Sequence, residues 1–175
     1  MRVRYILQIV GFFLASQLSA QSGMVEIKVY TNVNQFTCLC TETSFICAET
    51  LDHEKVLKLP VSSFSCPKRK IDKDLVELFE AEKYPYISIE IMDYKIQNGI
   101  NSAEVKITIK ETEKVYQLQL EKIVEEENYY FKGKQQLDLT DYHIESPVKV
   151  LGLVKVKSIV DIEFKIPDEF VTEEL

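Results

Sequence analysis

Glycine is scarce in this chain, with 5 residues among 175, and none of the glycines lies in a loop that binds nucleotide phosphates or carries a catalytic serine. Histidine is scarcer still. The two histidines, His53 and His143, lie in polar segments, and neither is spaced with a serine or a carboxylate as catalytic groups are. An enzyme is therefore without support, and we predict no catalytic residues and no cofactor.

A long uninterrupted apolar run is also missing. Arg2 and Arg4 precede a mostly apolar stretch over residues 5–15, which Gln8 interrupts and polar residues follow at once. A membrane-spanning helix needs about 20 apolar residues, so residues 1–20 are predicted to be a cleaved export signal and not an anchor. We expect a periplasmic or secreted protein with no stable membrane insertion after signal removal.

Positive charge is in short supply. The chain has 21 Lys and Arg, so removing the two arginines of the leader leaves 19 basic against 28 acidic residues, a formal charge of −9. Such a chain repels phosphate backbones, which excludes nucleic acid as a partner.

Linkers and repeats are absent, so residues 21–175 are predicted to form one domain. The acidic segments 125–127 and 168–174 are interpreted as solvated surface and a frayed tail.

Only one segment after the leader has a helical pattern. Apolar residues recur at helical spacing from Leu75 to Phe79. Asp72 is placed to cap the first turn, and Pro85 closes the segment. The pattern predicts one helix of about ten residues, and a single helix excludes a parallel sheet with a helix between each pair of strands.

The remaining segments have the pattern of strands. Ile87, Ile89 and Ile91 alternate with Ser88 and Glu90, so this strand has one apolar and one polar face. The other predicted strands are 25–33, 36–40, 45–47, 56–59, 103–109, 115–120, 129–139 and 154–166.

Turn signals separate several of these strands. Asn98-Gly99 predicts a hairpin turn, and residues 32–34 interrupt the first strand as a bulge or a bend. Consecutive one-faced strands joined by short turns form an antiparallel sheet. The predicted fold class is therefore all-β, an antiparallel barrel of about eight strands with one short helix.

Four cysteines lie in the first half of the chain, and behind an export signal an even number predicts two disulfides. Three pairings are possible. Cys38 and Cys66 each follow an aromatic residue by two positions, which favours Cys38 with Cys66 and Cys40 with Cys47. The alternative is a zinc site that includes His53, but Cys-x-Cys lacks the usual ligand spacing, so we predict no metal.

The order of these segments resembles the YceI-like family of exported, lipocalin-like barrels. The resemblance is carried by "LPVSSF", by "LFEAEKYPYISIEI" at the end of the helix, by "AEVKITI" and by the last strand "SIVDIEFKI". It covers roughly residues 25–167, and it implies a barrel interior that holds an isoprenoid or another amphiphilic lipid.

The apolar alternation and this resemblance together predict ligand-facing residues on four strands. They are Ile87, Ile89, Val105, Ile107, Leu118, Leu120, Ile162 and Phe164. A barrel of about eight strands can hold one ligand, but it can also be filled by side chains. The alternative is therefore a non-enzymatic structural or interaction protein with a packed barrel.

The chain departs from the family pattern at three places. The turn after Ile109 has Lys110-Glu111 where the family usually has a glycine. The family's "DFG" phrase is echoed only by residues 141–144, and the segment 147–152 is compressed. These departures indicate a short variant whose cavity is smaller or filled.

Overall fold

The structure, a computed structural model, describes residues 23–40, 44–47, 55–149 and 153–172. The predicted export signal over residues 1–20 lies outside the described residues. The strands are β1 Met24–Thr31, β2 Gln35–Cys40, β3 Ser44–Cys47, β4 Lys55–Pro60, β5 Phe64–Ser65, β6 Tyr86–Gln97, β7 Ile100–Ile109, β8 Thr112–Glu125, β9 Asn128–Asp138, β10 Val148–Lys149 and β11 Val154–Pro167. The helices are α1 Arg69–Leu78 and α2 Asp168–Thr172, with 3-10 turns at Val61–Ser63 and Leu139–Tyr142.

Nine of these strands form a nearly closed antiparallel barrel in the order β4, β6, β7, β8, β9, β11, β1, β2, β5. One stretch of chain contributes both of its edges. β4 pairs with β6 at one edge, and β5, four residues further on, pairs with β2 at the other edge. β3 extends the sheet beyond β4, and β10 pairs with β11. The predicted all-β barrel is confirmed.

Alternation along the strands produces the barrel interior, as the sequence predicts. On β6, Ile87, Ile89 and Ile91 are buried, whereas Ser88 and Glu90 are only partly buried on the outer face. The same pattern on β7, β8, β9 and β11 directs an apolar face inwards. One continuous core results, because antiparallel pairing in this register keeps all inward faces on the same side.

The first hairpin corrects the interpretation of residues 32–34. We expected a bulge or a bend within one extended segment, but the chain reverses there and β2 pairs back on β1, with Tyr30 opposite Gln35. Thr31 closes the turn, since its backbone N–H donates to the Asn34 carbonyl at 2.8 Å and its Oγ1 accepts from the Asn34 N–H at 2.9 Å. The two asparagines favour a turn.

Helix α1 has the predicted length but begins earlier than predicted. Asp72 is not its N-cap. The helix starts at Arg69, and Lys68 stands at the cap position without a side-chain capping bond. The Asp72 carboxylate instead accepts a hydrogen bond from the Cys66 N–H at 2.7 Å, which ties the first helical turn to the chain that enters it.

A second helix, α2, corrects the prediction of a frayed tail. Phe170 and Val171 are buried against the end of the barrel, so residues 168–172 are part of the fold. Lys122 Nζ on β8 lies 2.8 Å from Asp168 Oδ2, next to the start of the helix. The predicted surface position of the other acidic segment, 125–127, is confirmed by its exposure.

Two-residue turns join the consecutive hairpins of the barrel. Asn98 and Gly99 have φ of 52° and 79°, the left-handed pair typical of the predicted tight hairpin. Lys110, in the turn after β7, also adopts a positive φ of 55°. Its Nζ lies 2.5 Å from Glu80 Oε1, and Tyr84 and Lys83 both bind Glu111. The turn therefore anchors the segment that follows α1.

The predicted Cys38–Cys66 disulfide is present, with the two Cα atoms 4.1 Å apart. It joins β2 to the residues between β5 and α1, at the place where the barrel closes. The predicted Cys40–Cys47 pair lies outside the described residues, because the side chain of Cys47 is not among them. It stays a prediction.

Asp161 binds three neighbouring side chains on the outer face of the barrel, although it is itself buried. Tyr30 Oη donates to its Oδ2 at 2.7 Å, and Gln136 Nε2 donates to its Oδ1 at 3.0 Å. Lys134 Nζ lies 3.1 Å from Oδ2. The hydrogen bond from Tyr30, followed by that from Gln136, lowers the pKa of Asp161 to about 2. The cluster thus fastens β1, β11 and β9 to one another.

We expect this carboxylate to stabilise the fold at neutral pH and to lose that effect in acid. Its folded-state pKa lies below the ordinary 3.8, so its contribution is complete above 3.8 and disappears as the pH falls towards about 2. Asp161→Asn should lower the free energy of unfolding near neutral pH by about 1 kcal/mol, allowing for solvent screening. Urea unfolding across this pH range measures it. The exposed Glu121→Gln is the control, and an equal acid loss in Asp161→Asn and the parent would contradict the assignment.

Candidate functional site

A cavity of about 490 Å³ occupies one end of the barrel, between helix α1 and the inward faces of the strands. Its walls are mostly apolar and come from β1, β2, β6, β7, β9, β11, the turn after β9, and the helix. The apolar lining residues are Ile27, Val29, Phe36, Cys38, Pro67, Ile71, Leu75, Leu78, Phe79, Ile87, Ile109, Leu137, Leu139, Pro147, Val154, Val156, Val160 and Ile162.

The opposite end of the barrel, next to α2, is filled by side chains. Only about 10 Å³ of free space remains there, among residues that include Ile91, Phe164 and Phe170. Phe164 pairs across the strands with Gly133, and its ring lies where a side chain at Gly133 would stand: a Cβ built there would be 2.3 Å from the Phe164 Cζ. The glycine therefore makes room for the ring that fills this end.

The structure places all eight sequence-predicted ligand-facing residues in the buried interior. It divides them between the two ends. Ile87 and Ile162 line the cavity. Ile89, Val105, Leu120 and Phe164 surround the filled end. Ile107 and Leu118 are buried and line neither space. Whether any of the eight residues contacts a ligand stays a prediction.

Sequence reasoning missed the part of the cavity wall that helix α1 provides. Ile71, Leu75 and Leu78 recur at helical spacing and face the cavity, and Phe79 follows them. The amphipathic pattern was visible, but it does not say whether the apolar face rests on packed side chains or on open space. Val29 and Val156 were missed because the sequence shows that their strands exist but does not show which part of each strand lies at the hollow end of the barrel.

The polar groups of the cavity lie at its rim. Thr31 and Asn34 bind each other, with 2.8 Å between Thr31 Oγ1 and Asn34 Oδ1. Lys68 and Lys70, at the start of α1, are exposed and also line the cavity. Asp74, one turn further along the helix, is partly buried and makes an interaction of its own. The cavity thus has an apolar interior and a charged mouth.

The titratable groups near the interior do not suggest chemistry. Burial, followed by the hydrogen bond with Tyr116, raises the pKa of Tyr142, and the two hydroxyl oxygens are 3.1 Å apart. A buried phenol of this kind stays protonated at neutral pH. His143 is exposed at the end of a 3-10 turn, and His53 lies outside the described residues. The described residues contain no cluster of His, Cys, Asp or Glu that could hold a metal ion.

The model of the YceI-like domain matches residues 15–167 of the chain. The chain belongs to the YceI-like family. The family predicted from the sequence is therefore confirmed, and the barrel is the fold of this family. None of the curated proteins compared with the chain matches it.

Solved structures of the YceI-like fold include BcnA of Burkholderia cenocepacia, with a TM-score of 0.62 and 15% identity over 82% of this chain and 94% of that one. A polyisoprenoid binding domain from Saccharophagus degradans, implicated in plant cell wall breakdown, has a TM-score of 0.59 and 12% identity, over 83% of this chain and 94% of that one. The YceI protein of Campylobacter jejuni has a TM-score of 0.53 and 16% identity, over 94% and 96%. At such identities these likenesses show the fold alone.

Across the described parts of this YceI-like chain, neither helix has the length and apolar character needed to cross a membrane.

Proposed function

We propose that this YceI-like protein is an exported carrier that binds one apolar or amphiphilic ligand, an isoprenoid or another lipid, in the cavity under helix α1. The observation that carries the proposal is the cavity itself: about 490 Å³ with an apolar lining. This volume lies in the range of roughly 300–1,000 Å³ that is usual for small-molecule sites. The polyisoprenoid binding domain of Saccharophagus degradans, which has the same fold, supports a ligand of this class.

The volume favours a short chain over a long one. A water molecule occupies about 30 Å³ in the liquid and a methylene group is of similar size, so the cavity holds on the order of 15 carbon atoms. The filled end beyond Ile162 stops the ligand there, because Phe164 leaves no free depth. A longer chain would have to extend out through the mouth.

Export is supported by two features of different kinds. The arginines and the interrupted apolar stretch at residues 1–20 have the pattern of a cleaved signal. The Cys38–Cys66 disulfide belongs in an oxidising compartment. The signal pattern and the disulfide are both compatible with an exported protein that binds a lipid as cargo.

A packed, non-carrying barrel is the second candidate, and the filled end beside α2 favours it. One substitution placed at either end separates the two functions. Val160 lines the cavity, whereas Val105 lines the filled end. We expect Val160→Phe to keep the fold and to block uptake of farnesol, since the added ring would occupy ligand space. Val105→Phe should overpack the interior and destabilise it by about 1–3 kcal/mol.

The measurements are urea unfolding of both variants and calorimetric titration with farnesol. If the protein is a carrier, Val160→Phe should bind farnesol at least tenfold more weakly than the parent, which corresponds to roughly 1.4 kcal/mol of binding free energy. Its free energy of unfolding should change little. A parent protein that binds neither farnesol nor a fatty acid, together with equal destabilisation of both variants, would leave the packed barrel as the function. Native mass spectrometry of the protein purified from its own periplasm then identifies the bound lipid.

A further inference from the structure

The mouth of the cavity differs in charge from the rest of the molecule. The whole chain has a formal charge of −7, yet four basic residues lie close together at the start of α1, against two acidic ones, Asp72 and Asp74. The basic residues are Lys68, Arg69, Lys70 and Lys73. Two of these four, Lys68 and Lys70, line the cavity. The ion pairs identified between described residues involve neither of them. Both lysines are exposed, so their ammonium groups are accessible to a ligand at the mouth of the cavity.

Two of the other polar residues at the mouth, Thr31 and Asp74, already have partners. Thr31 Oγ1 accepts from the N–H groups of Val33 and Asn34 and contacts the Asn34 side chain, so the hydrogen bonds of this hydroxyl close the hairpin turn. Asp74 has an interaction of its own. Lys68 and Lys70 are the positively charged residues of the cavity lining, and lysine has donors only.

From this arrangement we propose that the ligand is an amphiphile with a negatively charged head group, a phosphate or a carboxylate, which Lys68 and Lys70 bind while its chain occupies the cavity. The inference rests on the proposed carrier function and specifies its substrate class. Charge-assisted hydrogen bonds to oxyanions are stronger than neutral ones, so the head group would fix which end of the ligand enters first. The chain end would then point toward Ile162 and the filled end of the barrel.

The test compares ligands that share one chain and differ in the head group. Farnesyl phosphate, farnesol and inorganic phosphate are titrated calorimetrically into the disulfide-bonded protein, and palmitate tests the carboxylate. We expect farnesyl phosphate to bind about tenfold or more tightly than farnesol, the size of one hydrogen bond to a charged group. Because Lys68 and Lys70 are exposed, added salt should reduce this ratio.

The double variant Lys68→Gln/Lys70→Gln should bring the ratio of the two affinities close to one. Arg69→Gln/Lys73→Gln is the matched control: it removes the same charge from the same helix, but its residues do not line the cavity, and it should keep most of the preference. Circular dichroism verifies that both variants fold. Palmitate binding more tightly than hexadecanol would extend the preference to carboxylates and support the head-group assignment.

Three results would overturn the inference. Equal affinity of the parent for farnesyl phosphate and farnesol would mean a neutral ligand, with the carrier function intact. A preference that survives in Lys68→Gln/Lys70→Gln would mean that the anion binds elsewhere. Inorganic phosphate competing as well as farnesyl phosphate would mean a site for a free anion. A parent that binds no farnesyl compound and no fatty acid would instead refute the carrier function on which the inference rests.

Discussion

A chain carrying Ile89→Asp is expected not to fold. Ile89 is 6% exposed, pairs with Leu57 and Ile107 on the neighbouring strands, and borders the filled end, where about 10 Å³ of free space remains. A carboxylate there would have neither water nor a partner. Burying an unpaired charge costs several kcal/mol, which is comparable to the ~5–15 kcal/mol that stabilises a whole domain.

The matched control is Ser88→Asp, the same new residue at the preceding position. Ser88 is on the outer face of β6, opposite Lys58 on β4 and Thr108 on β7, so the added carboxylate would face water and a lysine. Glu90 is a poorer control, because its Oε2 lies 2.6 Å from Lys106 Nζ. Circular dichroism and urea unfolding give the readout. If Ile89→Asp unfolds at the same denaturant concentration as Ser88→Asp, the register assigned to β6 is wrong.

After Ile89→Asp, removal of the Cys38–Cys66 disulfide should cause the largest loss in the free energy of unfolding. The bond closes a loop with a sequence separation of 28, and constraint of the unfolded chain over such a loop is worth about 3–4 kcal/mol. We expect Cys38→Ser/Cys66→Ser to lose about this much free energy of unfolding, with Cys40 and Cys47 left in place. Farnesol binding should weaken as well, because Cys66 lies just before α1, the helix that covers the cavity.

Reduction of the parent protein provides the control for this variant. Dithiothreitol should shift the unfolding of the parent at least as far as that of Cys38→Ser/Cys66→Ser. A loss below about 1 kcal/mol in the variant would show that β5 and α1 hold their positions without the bond. A large further loss when the variant is reduced would reveal a second disulfide, as predicted for Cys40 with Cys47.

The positions of the strands, and which face of each is buried, could be predicted from the sequence because apolar and polar residues alternate along each strand. On β6, Ile87, Ile89 and Ile91 are separated by polar residues, and a slip of one residue would expose all three to water. The beginning of α1 was not encoded in the same way. Asp72 looks like a cap in the sequence, but the path of the chain out of β5 brings the Cys66 N–H to its carboxylate. That path depends on the disulfide and on pairing with β2, which are contacts between distant residues.

The division of the interior into a hollow and a filled end was beyond the sequence. Ile162 and Phe164 are successive inward-facing residues of one strand and carry the same pattern, yet one borders the cavity and the other the filled end. What separates them is Gly133 on the neighbouring strand, which admits the Phe164 ring. Helix α2 was missed for a related reason. Its two buried residues, Phe170 and Val171, are too few among acidic neighbours to form a pattern.

The position of β11 between β9 and β1 sets the order in which this barrel can be completed. The ladder of β1 against β11 joins the beginning of the described chain to its end, with Val25 opposite Phe164. Until β11 has been synthesised and docked, β1 and β9 each present an open edge of unpaired N–H and C=O groups, on which other chains can add strands. Contacts of such large sequence separation make folding slow, on the order of milliseconds to seconds. A chain that is exported, as proposed, would remain incompletely folded throughout its synthesis, because the barrel closes late. During that time the open edges of β1 and β9 would have to be shielded from other chains.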